Sequence, residues 1–267
     1  MEETDRAALQ EAKALLENPG LAARLANALG APLEKGVAYL PEGVAKVISE
    51  VTQKALHASL RAAVFTVGAR HPWHSSRVAH MVATVTTGGV GGFFGALVFA
   101  AELAASTTIM MRAIATIARE HGEDTQSPET RLACLEVFAL GGRNESDDGT
   151  ETGYYAVRNA MASGVNPAIK FLAGGGKLTD KGAPALVKFI AQIGQRFSIP
   201  VTEKMAAQAV PIIGAAGAAT INLLFINHFQ DMATGHFTVR RLERKYGPKA
   251  VKEAYAILPS RPVQIRR

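Results

Sequence analysis

Hydrophobic positions along this chain recur at steps of three and four residues, and no stretch alternates long enough to build a sheet. Val44, Val47, Ile48, Val51, Ala55 and Ala62 share one face, while Glu50, Gln53, Lys54 and Arg61 fall on others. Leu103, Ile109, Met110, Ile114 and Ile117 keep an apolar side further on. The pattern predicts an all-α fold. Breaks at Asn18-Pro19-Gly20, Gly30-Ala31-Pro32 and Leu40-Pro41 divide residues 1–50 into short helices, because proline lacks an amide donor and glycine favours turns. Gly122-Glu123-Asp124 ends a later helix, and Ser127-Pro128-Glu129 opens the next with a serine cap and a proline in the first turn.

Two segments, Met81–Ala101 and Met205–Gln230, carry no formal charge. The first is about as long as a bilayer's hydrocarbon core is thick. It holds Gly88, Gly89, Gly91, Gly92 and Gly95, and each glycine inside a helix costs roughly 1 kcal/mol unless something packs closely against it. Gly88/Gly92 and Gly91/Gly95 have the spacing that lets two helix backbones touch, and Gly214, Gly217 and Ala218 offer a second such face. Pro211 should kink or restart its helix. The expectation is one multi-helix domain in whose core the two segments pack together. Glycines, threonines and Pro211 make both weak as membrane spans, and Glu102 directly bounds the first.

Composition sharpens this picture. The chain has 267 residues, 48% of them hydrophobic and only 19% charged, with a mean hydropathy of +0.10. That is the apolar edge for a soluble protein and makes membrane contact worth testing. A single cysteine, Cys134, excludes an intrachain disulfide and fits a reducing compartment. The start, MEETDRAALQEAKALLE, has acids where a signal peptide needs bases, so the expected location is cytoplasmic. The net charge of +6 is uneven: from Arg240 to Arg267 nine basic residues stand against Glu243 and Glu253. A basic end close to an apolar segment suits an anionic lipid surface, each Lys or Arg adding about 1 kcal/mol; a solvated helix face is the other reading. With no aromatic interleaving or recognised module, no nucleic-acid partner is expected.

No catalytic motif is complete. GGGKLTDKG fails the phosphate-loop pattern at Phe171 and Leu178, and GVGGFF fails the dinucleotide pattern at Phe94. RNESDDGTETG mimics a calcium loop but has Tyr155 where the bidentate glutamate belongs. His71, His74 and His80, near Trp73, lack metal-ligand spacing. Glu102 is a lone acid between apolar runs and must be paired, bonded or protonated if buried, with Thr107, Thr108 and Arg112 its nearest candidates in sequence. Asn222, Asn227, His228 and Asp231 lie near the end of the second segment, and with Glu102 and His236 they could form a buried polar site or hold a metal; a hydrogen-bonded core network is the alternative. No cofactor follows from these residues.

The run TGGVGGFFG, then ELAASTTIMMRAIATIAREHGED, CLEVFALGG and GYYAVR, and finally PVTEKMAAQAVPIIGAAGAATINLLFINHFQDMATGHFTVRRLERKYG, resembles the EcsC family of bacterial proteins. The family takes its name from a gene beside an ABC transporter, and the resemblance brings no catalytic residues with it. It implies an EcsC-like helical domain over 36–258, with a helical extension at 1–35 and a basic tail at 259–267. The functional expectation is a lipid- or hydrophobic-ligand-binding protein, peripheral at the inner face of the cell membrane. The alternatives are an enzyme centred on Glu102, His228, Asp231 and His236, and an adaptor with a membrane-protein partner in a transporter complex.

Overall fold

The three- and four-residue spacing is realised as ten helices in a computed structural model that describes residues 1–17, 20–40, 42–66, 92–141, 153–176, 184–210 and 215–259. They are α1 (Glu3–Glu17), α2 (Leu21–Leu29), α3 (Leu33–Val37), α4 (Val44–Thr66), α5 (Gly92–Glu120), α6 (Pro128–Leu140), α7 (Gly153–Ala173), α8 (Pro184–Ala209), α9 (Ala215–Tyr246) and α10 (Pro248–Ile257). No strand occurs among the described residues, so the fold is all-α. Start signals read from the sequence act as expected at α6, where the Ser127 hydroxyl accepts from the Thr130 amide at 3.1 Å and Pro128 follows.

Helix α8 is central, touching α2, α3, α4, α6, α7 and α9. At its middle, Phe197 meets Phe138 of α6 at 4.9 Å and Phe229 of α9 at 5.3 Å between ring centres, and Phe225 closes the group 5.2 Å from Phe229. These rings are fully buried, and tilted pairs of this kind add about 0.5–1.5 kcal/mol each beyond area burial. A smaller cluster joins Leu9 and Ala12 of α1, Tyr154 and Tyr155 of α7, Val239 and Leu242 of α9, and Val251 and Tyr255 of α10.

Helix α5 packs against both α4 and α9. Glu102 and Phe225 both reach Lys204, while His121 meets Thr238 and Glu123 meets Arg240 further along, so α5 and α9 run parallel. Each uncharged segment therefore contributes to one of two helices that pack on each other. Gly92 and Gly95 open α5, and Gly217 lies half-buried on α9. The second segment divides between the end of α8 and the start of α9, as expected for a proline between them. Residues 81–91, with Gly88 and Gly91, and residues 211–214, with Pro211 and Gly214, lie outside the described residues, as do His71, His74 and His80 around Trp73.

Two close approaches that sequence reasoning missed hold the N-terminal helices. A side chain at Gly36 would run into the Ala206 carbonyl, so only glycine lets α3 lie against α8. A Cβ at Gly235 would come within 2.6 Å of Leu16 Cγ and 3.0 Å of the Ala12 carbonyl, which fixes α1 on α9.

Candidate functional site

The uncharged segments leave an exposed surface at the start of α9. From Ala215 to Gln230 the helix carries no charge, yet Ala219, Thr220 and Leu223 face outward, Leu223 at 58% exposure. Ala101, at the end of the other uncharged segment, is exposed on the neighbouring α5. Water-facing helix surfaces ordinarily carry charged residues, and here none appears across four turns. Val37, Tyr39 and Val47 add further exposed apolar side chains around the α3–α4 connection, beside the end of α8.

Next along α5 from exposed Ala101 is one half of a buried ion pair. Lys204 of α8 donates to Glu102 of α5 at 2.6 Å, and the two side chains are 1% and 5% exposed. The ammonium also sits 5.0 Å from the centre of the Phe225 ring on α9. Burial pulls the lysine below its ordinary range, and Glu102 opposes that shift. The expected partners of Glu102 are corrected here. Thr107 and Thr108 donate to the Leu103 and Ala104 carbonyls of their own helix, at 2.6 and 2.8 Å, and Arg112 is exposed. Partners on a carboxylate's own helix compete with backbone acceptors one turn back, whereas a lysine on a packed neighbour meets the charge head on. Asn222, one turn before Phe225, is 6% exposed, and its Oδ1 has no hydrogen-bond partner among the described residues.

The other sequence candidates occupy separate places. The His228 Nε2–H donates to the Gly141 carbonyl at 3.0 Å, which leaves Nδ1 buried as an acceptor with no donor among the described residues; burial lowers this imidazole to about 4. Asp231 pairs with Arg24 of α2 at 2.6 Å, and Asn227 is half-buried nearby on α9. His236, wholly buried, shares a 3.0 Å hydrogen bond between Nδ1 and the Tyr154 hydroxyl, and burial holds it well below its usual range. Each of Glu102, Asp231, His228 and His236 thus has its own partner. Among the described residues no three His, Cys, Asp or Glu side chains come together to hold a metal ion.

A second polar centre was not foreseen. At the far end of α9, a cleft of about 430 Å³ is lined by Glu123, Thr130, Arg158, Arg240, Glu243 and Arg244, among others. Glu123 accepts from both Arg240 and Arg244, and although burial raises it the two guanidiniums hold its carboxyl below the ordinary range. Arg158 grips Glu243 with two bonds of 2.7 and 3.2 Å. Beneath them Glu136 is pushed up to about 7 by burial, against the pull of Arg158 and Arg240. Arg241 and Lys245 pair with Asp5 of α1, and Lys245 also with Glu2.

This corrects, for the basic residues of α9, the expectation that the basic end lies close to the apolar segments; Arg261, Arg266 and Arg267 lie outside the described residues. At about 1.5 Å per residue, Leu223 and Lys245 stand roughly 33 Å apart along α9. The basic residues of α9 are moreover neutralised by acids from α1 and the α5–α6 turn. No described helix is long and apolar enough to cross a membrane.

Comparison with curated proteins and with solved structures finds no match. A model of the EcsC protein family matches residues 3–242, which includes every helix from α1 through α8 and nearly all of α9. The chain belongs to the EcsC family.

Proposed function

We propose that this protein binds lipid surfaces peripherally, through the uncharged outer face formed by the start of α9 and the adjoining part of α5. The observation that carries the reading is Leu223, 58% exposed on a helix that bears no charge from Ala215 to Gln230. A leucine moved from water into an apolar phase gains about 2 kcal/mol, and the small residues around it let the helix lie close to that phase. The absence of a membrane-crossing helix among the described residues fits contact at a surface better than insertion.

The paired state of Arg240, Arg241, Arg244 and Lys245 gives the reading a particular form. Charges already neutralised within the fold attract anionic headgroups little, so binding should depend on apolar contact more than on lipid charge. Flotation with vesicles of neutral phosphatidylcholine, and of the same lipid with an anionic fraction, tests this. Comparable binding to both is expected, with Leu223→Glu weakening it about tenfold or more. No binding to either vesicle overturns the reading.

A further inference from the structure

We propose that the groove between α2 and α3 is a binding site for one single-chain lipid whose head carries a positively charged nitrogen, such as a lysophosphatidylcholine. This goes beyond contact with a lipid surface, because it requires one saturable site per chain on a part of the fold distinct from the start of α9.

The groove follows from the local sequence. Leu21 and Leu25 turn one side of α2 into the core. Ala22 and Ala26, and beside them Ala23 and Asn27, recur at four-residue steps and so form two adjoining rows along the helix. Gly30 ends α2 in the left-handed region, at φ 63°, with its amide donating to the Ala26 carbonyl, and Ala31-Pro32 lead the chain into α3. Methyl groups and a proline ring are too short to fill the angle between the two helices. An opening of about 560 Å³ remains there, walled by Ala22, Ala23, Ala26, Pro32 and Leu33, a volume within the range of small-ligand pockets. It follows α2 for about 12 Å, from Ala22 to Gly30.

These walls face open space. Ala23 and Pro32 are exposed and Ala22 and Ala26 half-buried, so a hydrocarbon chain laid along them exchanges water for apolar surface without displacing any packed side chain.

Charge selects the head. Among the described residues Glu34, which is exposed, is the one charged side chain lining the groove, and Asn27 the one other polar side chain. Arg24, the basic residue of α2, is engaged by Asp231 of α9 at 2.6 Å and does not line it. An anionic head therefore meets a like charge, whereas a trimethylammonium meets an opposite one. The Asn27 amide is placed to donate to an ester or phosphate oxygen between head and chain.

The test is titration and native mass spectrometry of the full-length protein with oleoyl lysophosphatidylcholine and oleoyl lysophosphatidylglycerol below their micellar concentrations, with vesicle flotation of the same samples. The two probes share a chain and differ in head charge. Lysophosphatidylcholine should bind one per chain and about three- to fivefold more tightly, the scale of an exposed ion pair. Ala23→Trp, at an exposed position, should fill the groove and weaken both lipids about tenfold, Glu34→Lys should reverse their order, and Leu223→Glu should leave the titration as it is in the wild type. Equal affinity for the two lipids, no saturable binding of either, or an Ala23→Trp protein that binds like the wild type overturns the proposal. Titration lost with flotation intact brings down this proposal alone; flotation lost with titration intact brings down the surface reading alone.

Discussion

Lys204 and Glu102 meet at 2.6 Å inside the helical core, each at the border of one of the two uncharged stretches of the chain. Removing one partner strands the other in a medium that cannot solvate it. Lys204→Met alone should therefore cost about 3–5 kcal/mol, and the double variant Glu102→Gln/Lys204→Met should recover much of that loss. Urea unfolding of the four proteins of the cycle measures the coupling directly.

Glu136 gives the fold an alkaline weakness. Its carboxyl is pushed up to about 7 in the folded chain, from an ordinary 4.5, because burial favours the neutral form. The stability it contributes is complete below about 4.5 and is lost as pH rises through 7. Glu136→Gln keeps a neutral side chain at every pH, so its melting temperature should gain on the wild type between pH 6 and pH 8.5 in a thermal scan.

His228 acts in the opposite direction. Burial holds it neutral down to about 4, below its ordinary 6.5, so its contribution is present above 6.5 and drains away as pH falls towards 4. His236, wholly buried and also depressed, adds to the same limb. Stability should peak between these limits, and His228→Gln should flatten the acid side of the pH–stability curve.

Gly36 is a packing requirement that leaves no trace in hydrophobic periodicity. Even Gly36→Ala places a methyl group into the Ala206 carbonyl, forcing α3 away from α8. A loss of about 1–3 kcal/mol is expected from overpacking. Denaturant midpoints decide it: an alanine variant as stable as the wild type would contradict the contact.

Local signals in the sequence carried much of the architecture. The apolar spacing of Val44 to Ala62 and of Leu103 to Ile117 became α4 and α5, and the Ser127-Pro128 signal became the start of α6. Such features depend on neighbours within one turn, which periodicity and caps report faithfully. The site was less legible. Glu102 stood out as an isolated acid, but its partner lies 102 residues away, and contacts at that distance leave no spacing to read. The available signal was symmetry: Glu102 closes one uncharged run and Lys204 immediately precedes the other. The charge surplus within α9 misled for the same reason, since Asp5 and Glu123, which pair with it, arrive from a remote helix and a remote turn.

The claim that the uncharged face of α9 meets lipid is tested most directly by placing an environment-sensitive fluorophore at Leu223→Cys and, separately, at Lys249→Cys on α10. Cys134 is buried, its thiol pushed up to about 12, so labelling falls on the introduced site. On addition of phosphatidylcholine vesicles the label at 223 should shift to the blue while that at 249 stays as it was in water. A shift at 249 alone, or at neither position, would contradict the account.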